Sequence, residues 1–424
     1  MSYSKNTFDI LIKIKYFLEE RMKYGILWRK TTKNIGDDMQ SYAASVWLPS
    51  VDYQVDIEAL DQFESEDDEP VATIMSAWYM WAKWNWPPSK YVYPCWIGLH
   101  YNDLLRHRGR GMPSKFEYLT GPGLEYLKKY EPIGCRDPYT QDRMNELGVK
   151  NYFSGCITLT LPRRDLPKPE REYVVLVDVG KEVEKAVRKQ LEGTGIDVKV
   201  LAPTRKERST NMSWEERKAQ VEEYLATYQN AKCVLAFRLH CSLPCLALET
   251  PLLLVRPNFD SIRFQPYKDW MHKAYPEQVI NGEFRDFMLN PPKNPDNYKP
   301  VREQLIKTVT EFVEQAKKET RKASELVRTT YTDLELMEWQ NKTMKQTLAN
   351  YLVESRIDLD TIIKQRRTIK KYKELFGDEN AIDKMYVEYN CFAVRFALKV
   401  RAFYSNIVFA LRRFKKRFKK NKKQ

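Results

Sequence analysis

Ala231 to Val255, AKCVLAFRLHCSLPCLALETPLLLV, is the stretch whose reading decides the fold. Lys232 to Phe237 is an apolar run of strand length. Ser242 to Leu248 is small and mostly apolar, ending before Pro251, which predicts a tightly packed helix, and Leu252 to Val255 resumes as a strand. Arg238 and His240 stand at the tip where strand gives way to helix. In an open α/β sheet ligands bind outside the carboxyl ends of the strands, and a helix N-terminus adds positive potential there, so the ligand expected at this tip is an anion. The same residues also admit a purely structural use, with Arg238 paired to a local carboxylate and His240 capping the helix.

Upstream, strands are predicted at Tyr173 to Val177 and Val198 to Leu201, with helices at Lys181 to Leu191 and Ser213 to Tyr228; Ser213 with Glu216 is a capping-box signal. Alternation of this kind predicts a parallel sheet with helices on both faces. The segment LPRRDLPKPERE, with three prolines and mixed charge, reads as a semi-rigid linker before it.

The chain before the linker has the same grammar. Tyr24 to Trp28 is a strand candidate that runs through a turn, Asn34, Gly36 and Asp37, into a helix; Asn and Gly let backbone approach a ligand, and Asp37 either orients a substrate hydroxyl or caps the helix. The acidic run Glu64 to Glu69 reads as a solvated loop before the strand Val71 to Ser76. Trp78, Trp81, Trp84, Trp86 and Trp96 fall close together around Pro87-Pro88, and indole faces serve either sugar contact or core packing. His100 follows a strand at Pro94 to Gly98. Arg136 ends a strand at Pro132 to Cys135, between helices at Glu117 to Lys129 and Tyr139 to Leu147, and SGCITLTLP has the β-branched alternation of a strand. Strand-end residues of the two halves, His100 and Arg136 with Arg238 and His240, are expected to face a common cleft.

The order and content of KNIGDDMQSYA, IGCRDPYTQDRMNELGVKNYFSGCITLTL and FRLHCSLPCLALETPLLLV resemble the three signature regions of the polysaccharide pyruvyltransferase family, and WNWPPS with the Pro94 to His100 strand resembles one subgroup of it. The similarity covers about residues 24 to 290. It implies an α/β chain with two Rossmann-like domains of the GT-B glycosyltransferase type. It also implies phosphoenolpyruvate as donor substrate with no cofactor, and a pyruvate ketal formed on a sugar of a surface or capsular polysaccharide, the acceptor being lipid-linked or polymeric. Arg136, Arg238 and His240 fall on the positions associated with the donor's charged groups. Asn34, Gly36, Asp37, Trp78 and His100 are the candidate substrate-binding residues. A GT-B glycosyltransferase using a nucleotide sugar is the alternative, and a non-catalytic scaffold a third.

The chemistry agrees. Phosphoenolpyruvate is a small, multiply charged anion, and a guanidinium matches phosphate or carboxylate in a bidentate way. Four histidines, His100, His107, His240 and His272, are too widely spaced to suggest a metal cluster. Seven scattered cysteines without a CxxC pair read as reduced thiols rather than a disulfide framework.

The remainder is of a different character. Val301 to Phe376 lacks Pro and Gly and predicts helix, either a broken coiled coil or a helical hairpin, whose first turns pack back on the N-terminal domain by the resemblance and whose remainder serves self-association. Of the formal charge of +14, residues 385–424 carry +11, from twelve Lys or Arg and one acid. The body is therefore not expected to bind nucleic acid, and the tail, with aromatic and aliphatic residues among its cations, predicts an interfacial helix on an anionic membrane surface. The N-terminal segment has an apolar stripe broken by Lys13 and Lys15, unlike a signal peptide, so a cytoplasmic enzyme attached to the inner face of the membrane is expected. The domain expectation is 1–165 (acceptor side), 166–299 (donor side), 300–384 (helical) and 385–424 (basic tail).

Overall fold

Strands buried on both faces read as unbroken apolar runs, and the central strands of the second sheet form from such runs. The computed structural model describes residues 22–80, 85–101, 118–326, 331–332, 334–346 and 349. The expectations for the N-terminal helix, Trp81, Trp84, His107, the basic tail and most of the helical region fall outside these residues. The first sheet contains β1 (Lys23–Trp28), β2 (Tyr53–Asp56), β3 (Val71–Ile74) and β4 (Val92–Cys95), in the order β2-β1-β3-β4 and all parallel. Helix α1 (Ile35–Ser45) follows β1. Helix α2 (Gly121–Lys128), β5 (Ile133–Cys135), α3 (Pro138–Glu146) and β6 (Asn151–Phe153) follow, β5 and β6 pairing in parallel. Leu99 bridges Cys135, and the bonds Leu99 N to Gly134 O and Arg136 N to Leu99 O, both 2.9 Å, carry this pair on past β4.

The second sheet is built from β7 (Tyr173–Val177), β8 (Asp197–Leu201), β9 (Cys233–Ala236), β10 (Leu252–Val255) and β11 (His272–Ala274), in the order β11-β10-β9-β7-β8 and again all parallel. Its register sets Val177 beside Ala236, and Ala236 beside Leu254, so the residues that leave these strands emerge along one edge. Helices α4 (Lys181–Gln190), α5 (Trp214–Gln229) and α6 (Leu239–Ala247) alternate with the strands, and Ser213 and Glu216 form the expected capping box on α5. Along β7 the side chains divide by parity, Val174 and Leu176 packing with Val183 and Val187 of α4, Val175 and Val177 joining a core shared with Ile26 and Met39 of the first half.

Both sheets lie in one compact unit, Met1–Thr343; Met344–Gln424 forms a second. Within the first unit the halves are stitched by backbone bonds, Ile35 N to Pro203 O (3.1 Å), Arg205 N to Lys33 O (2.7 Å) and Ser209 N to Thr32 O (2.9 Å). They are also locked by charge. Asp38 on α1 and Arg217 on α5 have no exposed side-chain surface and meet at 3.2 Å, and Arg205 reaches the same carboxylate at 2.6 Å. Arg217 is further held by the carbonyls of Arg29 and Ser209, each 3.0 Å away.

Four expectations change. SGCITLTLP is not a strand: Ile157–Thr160 is a single 3₁₀ turn, buried at every position, with Thr160 Oγ1 donating back to Ile157 O at 2.8 Å. Enclosure between α1 and α6 gives it no free face, so β-branched alternation carries no sheet information here. Helix α2 begins at Gly121 rather than Glu117. The long helix of the C-terminal region starts as α7 (Lys299–Ala316), which packs back through stacked Tyr93 and Phe312 rings, and stops where Glu319 binds the backbone N–H and guanidinium of Arg321. The acidic loop is not merely solvated, since Asp68 receives Ala323 N at its carbonyl and Ser324 N at its carboxylate. No described helix is long and apolar enough to cross a membrane.

The Asp38 pair yields a stability test. Asp38→Ala leaves Arg217 and Arg205 without their counter-charge and should cost about 3–5 kcal/mol in chemical denaturation; a loss under about 0.5 kcal/mol, the range of ordinary surface changes, would show the pair dispensable.

Candidate active site

Between the carboxyl edges of the two sheets lies a recess of about 70 Å³ lined by Asn34, Asp37, Gln40, Trp78, His100, Arg136, Asp137, Leu239, His240 and Arg263. It adjoins a wider cleft of about 780 Å³, with which it shares Asn34, Trp78, His100, Leu239, His240 and Arg263. Arg238, Arg256 and Asp178 line only the wider cleft.

Each strand-end residue arrives for a local reason. Arg136 follows β5 directly; it is 6% exposed, and its Nη2 donates to Gln40 Oε1 at 2.7 Å. Its Nε is buried with no hydrogen-bond partner among the described residues. Tyr267 donates its hydroxyl to the Arg136 carbonyl at 2.5 Å, fixing the backbone beneath the guanidinium. Arg263 comes from the loop after β10 and has no carboxylate partner among the described residues; its guanidinium lies 5.6 Å from the Trp78 ring. Burial, and then the neighbouring Arg136 charge, lower its pKa.

His240 is set by a kink. Pro244 sits inside α6 and lacks the N–H that would bond the His240 carbonyl four residues back, and His240 accordingly departs from helical geometry (φ −80°, ψ 19°). Its Nε2 lies 3.8 Å from the buried Cys156 Sγ. Burial first, then Arg136 and Arg263, push its pKa well below the ordinary histidine value, so the ligand-free imidazole is neutral near neutral pH.

His100 has a different environment. It is 3% exposed, and its Nδ1 lies 2.5 Å from Asp137 Oδ2, while Asp137 Oδ1 accepts from Thr140 N (2.8 Å) and Thr140 Oγ1 (3.0 Å) as the N-cap of α3. Burial lowers the pKa of His100 against the opposing effect of Asp137. Burial acts to raise Asp137, but the bonds from His100 and Thr140 outweigh it and hold the carboxyl below its usual range.

The remaining candidates divide. Asn34 caps α1 by accepting from Gly36 N (3.1 Å) and lines both cavities. Asp37 is not the cap: it accepts from Thr32 Oγ1 at 2.6 Å and Asn34 Nδ2 at 2.9 Å and lines the recess. Gly36 lines neither cavity; a Cβ there would stand 2.9 Å from His240 Cβ and 3.2 Å from its Nδ1, so the glycine makes room for the imidazole rather than for a ligand. Trp78 is half-buried at the mouth, 5.6 Å from the His100 ring, whereas Trp86 and Trp96 belong to a buried cluster with Tyr79, Tyr118 and Tyr126. Arg238 was expected with Arg136 and His240; its guanidinium instead pairs with Asp178 and donates to Thr204 Oγ1 at 2.8 Å, outside the recess. Arg263, which the sequence reading did not single out, lines both the recess and the cleft.

Residues 124–258 match the family model of polysaccharide pyruvyl transferase. The match spans α2 to β10 and contains Arg136, Asp137, Arg238 and His240, and it supports polysaccharide pyruvylation in general and a transferase activity. No curated protein matches the chain. Among solved structures, the calicheamicin glycosyltransferase CalG4 is 15% identical, covering 59% of this chain and 64% of its own, with a TM-score of 0.26. A functionally uncharacterized Klebsiella pneumoniae protein is 10% identical (65% of this chain, 99% of its own, TM-score 0.29), and S. aureus MnaA with UDP is 10% identical (72% and 94%, TM-score 0.30). The chain thus spans under two thirds of the CalG4 structure's length.

Gly36 supplies the test of this geometry. A Cβ at Gly36 would stand 2.9 Å from His240 Cβ and 3.1 Å from Asn34 Oδ1, so Gly36→Ala should displace His240, lower the melting temperature somewhat and lower turnover per folded molecule by roughly ten-fold or more. Full turnover in that variant would contradict the role given to the His240 contact.

Proposed function

We propose that the recess binds phosphoenolpyruvate and that the protein transfers its pyruvyl group to two hydroxyls of one sugar as a ketal, releasing phosphate, in the synthesis of a surface polysaccharide. The observation that carries this reading is the pair Arg136 and Arg263: two guanidinium groups close enough to repel, lining one small recess, with no carboxylate paired to either among the described residues. Two neighbouring arginines, with Asp37 of the same recess the carboxylate that acts on Arg263, suit a compact anion bearing both a phosphate and a carboxylate.

The reaction gives each histidine something to do. Protonation of the methylene carbon creates an oxocarbenium-like centre, one sugar hydroxyl attacks it, phosphate leaves, and a second hydroxyl closes the ketal. Next to a bound trianion the His240 imidazole gains the negative neighbour it lacks, so its pKa rises and it can protonate the departing phosphate. The groups facing it are the cations Arg136 and Arg263 and the thiol of Cys156, so the donor supplies the compensating charge.

Proton linkage follows with a definite sign. A group neutral in the free protein and protonated in the complex makes binding take up protons, and affinity then strengthens as pH falls through the bound-state pKa. Calorimetry in buffers of different ionisation enthalpy should show uptake on adding phosphoenolpyruvate near neutral pH, diminished in His240→Gln. Arg136→Ala should weaken binding by about 1.5–3 kcal/mol, ten-fold or more. Binding with no histidine-dependent proton uptake, or a melting temperature raised by a sugar nucleotide and not by phosphoenolpyruvate, would overturn the reading in favour of a glycosyltransferase.

A further inference from the structure

We propose that His100, oriented by Asp137, is the general base that takes the proton from the attacking sugar hydroxyl, which deepens the ketal-transfer reading above and rests on it. Net transfer consumes two hydroxyl protons, one appearing on the donor's methylene carbon and the other on inorganic phosphate. His240, between Arg136 and Arg263, is suited to the phosphate end. A second group is needed where the acceptor oxygen attacks.

The geometry points to His100 for three reasons. Its imidazole lines both the recess and the wider cleft, so it stands at the junction of the donor pocket and a cavity large enough for a sugar. Its Nδ1 meets a carboxylate at 2.5 Å, and that carboxylate is itself fixed as the cap of α3 by two contacts from Thr140, so the Nδ1–H tautomer is enforced and the basic lone pair falls on Nε2. The ring is positioned by packing at 5.6 Å from Trp78, whose half-buried face borders the same cavities. The charged groups around His100 are Asp137 on α3, Arg136 after β5 and Arg263 from the loop after β10; Asp37 and His240 share the recess. Two imidazoles in one site, one facing cations and one facing a carboxylate, divide acid and base work between them.

In the step assigned to His100, the hydroxyl oxygen forms a bond to the former enol carbon as its O–H electrons are released, and the proton passes to Nε2. When the second hydroxyl closes the ketal, the bond from carbon to the phosphate oxygen has broken and its electron pair has left with phosphate. Asp137 is a positioning residue. It acts through the ring, by holding the tautomer.

The experiment uses the full chain and two variants, His100→Gln and Asp137→Asn, the latter able to cap α3 while presenting an amide N–H to the ring and so reversing its tautomer. Phosphoenolpyruvate binding is measured by melting-temperature rise. Phosphate release from phosphoenolpyruvate is measured across pH with aryl hexosides carrying free 4- and 6-hydroxyls, and with water as the only nucleophile. Expected are donor binding within about three-fold of the parent protein, kcat lower by about two orders of magnitude or more, and loss in both variants of the limb on which the parent's kcat rises with pH. A parent profile without that limb overturns the proposal whatever the variants do. So does either folded variant that keeps parental kcat, or that loses donor binding instead. Absence of donor binding or phosphate release in the parent protein defeats the underlying transfer reading and leaves a distinguishable result.

Discussion

A carboxylate with no exposed surface, Asp38, holds two arginines of the opposite half, and the site depends on that contact. Removing three charges from water is costly, and the energy is recovered only when geometry and further hydrogen bonds are satisfied together. Arg217 meets that condition by also engaging the carbonyls of Arg29 and Ser209, and the backbone stitching of residues 32–35 to 203–209 runs alongside it. The consequence is positional. The carboxyl edge of β5, carrying Arg136, and the start of α6, carrying His240, are brought to one recess within a single compact unit.

Within the recess electrostatics do the selecting. Arg136 and Arg263 repel one another, and His240 is kept neutral by burial and by both of them. Each of these unfavourable terms would be relieved by the compact anion proposed as donor. Two backbone features hold the imidazole ready for it. Pro244 breaks the helix at His240, and Gly36 leaves the space into which the ring fits. Under the proposed function this arrangement is a preorganised one, set before the donor arrives.

Much of this was legible from the chain. Runs such as YVVLV, CVLA and LLLV announce parallel strands because both faces are buried, and the Ser213 cap and the strand-end placement of Arg136, His100 and His240 follow from local pattern. What was not legible is non-local. Arg217 reads as one more charge on an amphipathic helix, since nothing in WEERKAQV marks which guanidinium faces a carboxylate on another segment. Arg256 ends a strand just as Arg136 does, and the same rule would have singled it out; it donates to Phe237 O at 2.7 Å. Arg263 comes from an irregular loop and has no such signal. The union of Asp137 with His100 joins residues 37 positions apart. The ITLT turn misled because β-branched alternation describes a strand only when one face is free, and there both are covered.

The central claim, cleavage between the enol carbon and its oxygen to leave a pyruvyl ketal, is tested most directly by labelling the bridging oxygen of phosphoenolpyruvate with oxygen-18. After turnover with a diol-bearing glycan, the label should appear in inorganic phosphate and be absent from the glycan, whose ketal oxygens come from the sugar. Label retained on the three-carbon fragment, with phosphorus transferred instead, would show cleavage of the bond from phosphorus to oxygen and contradict pyruvyl transfer.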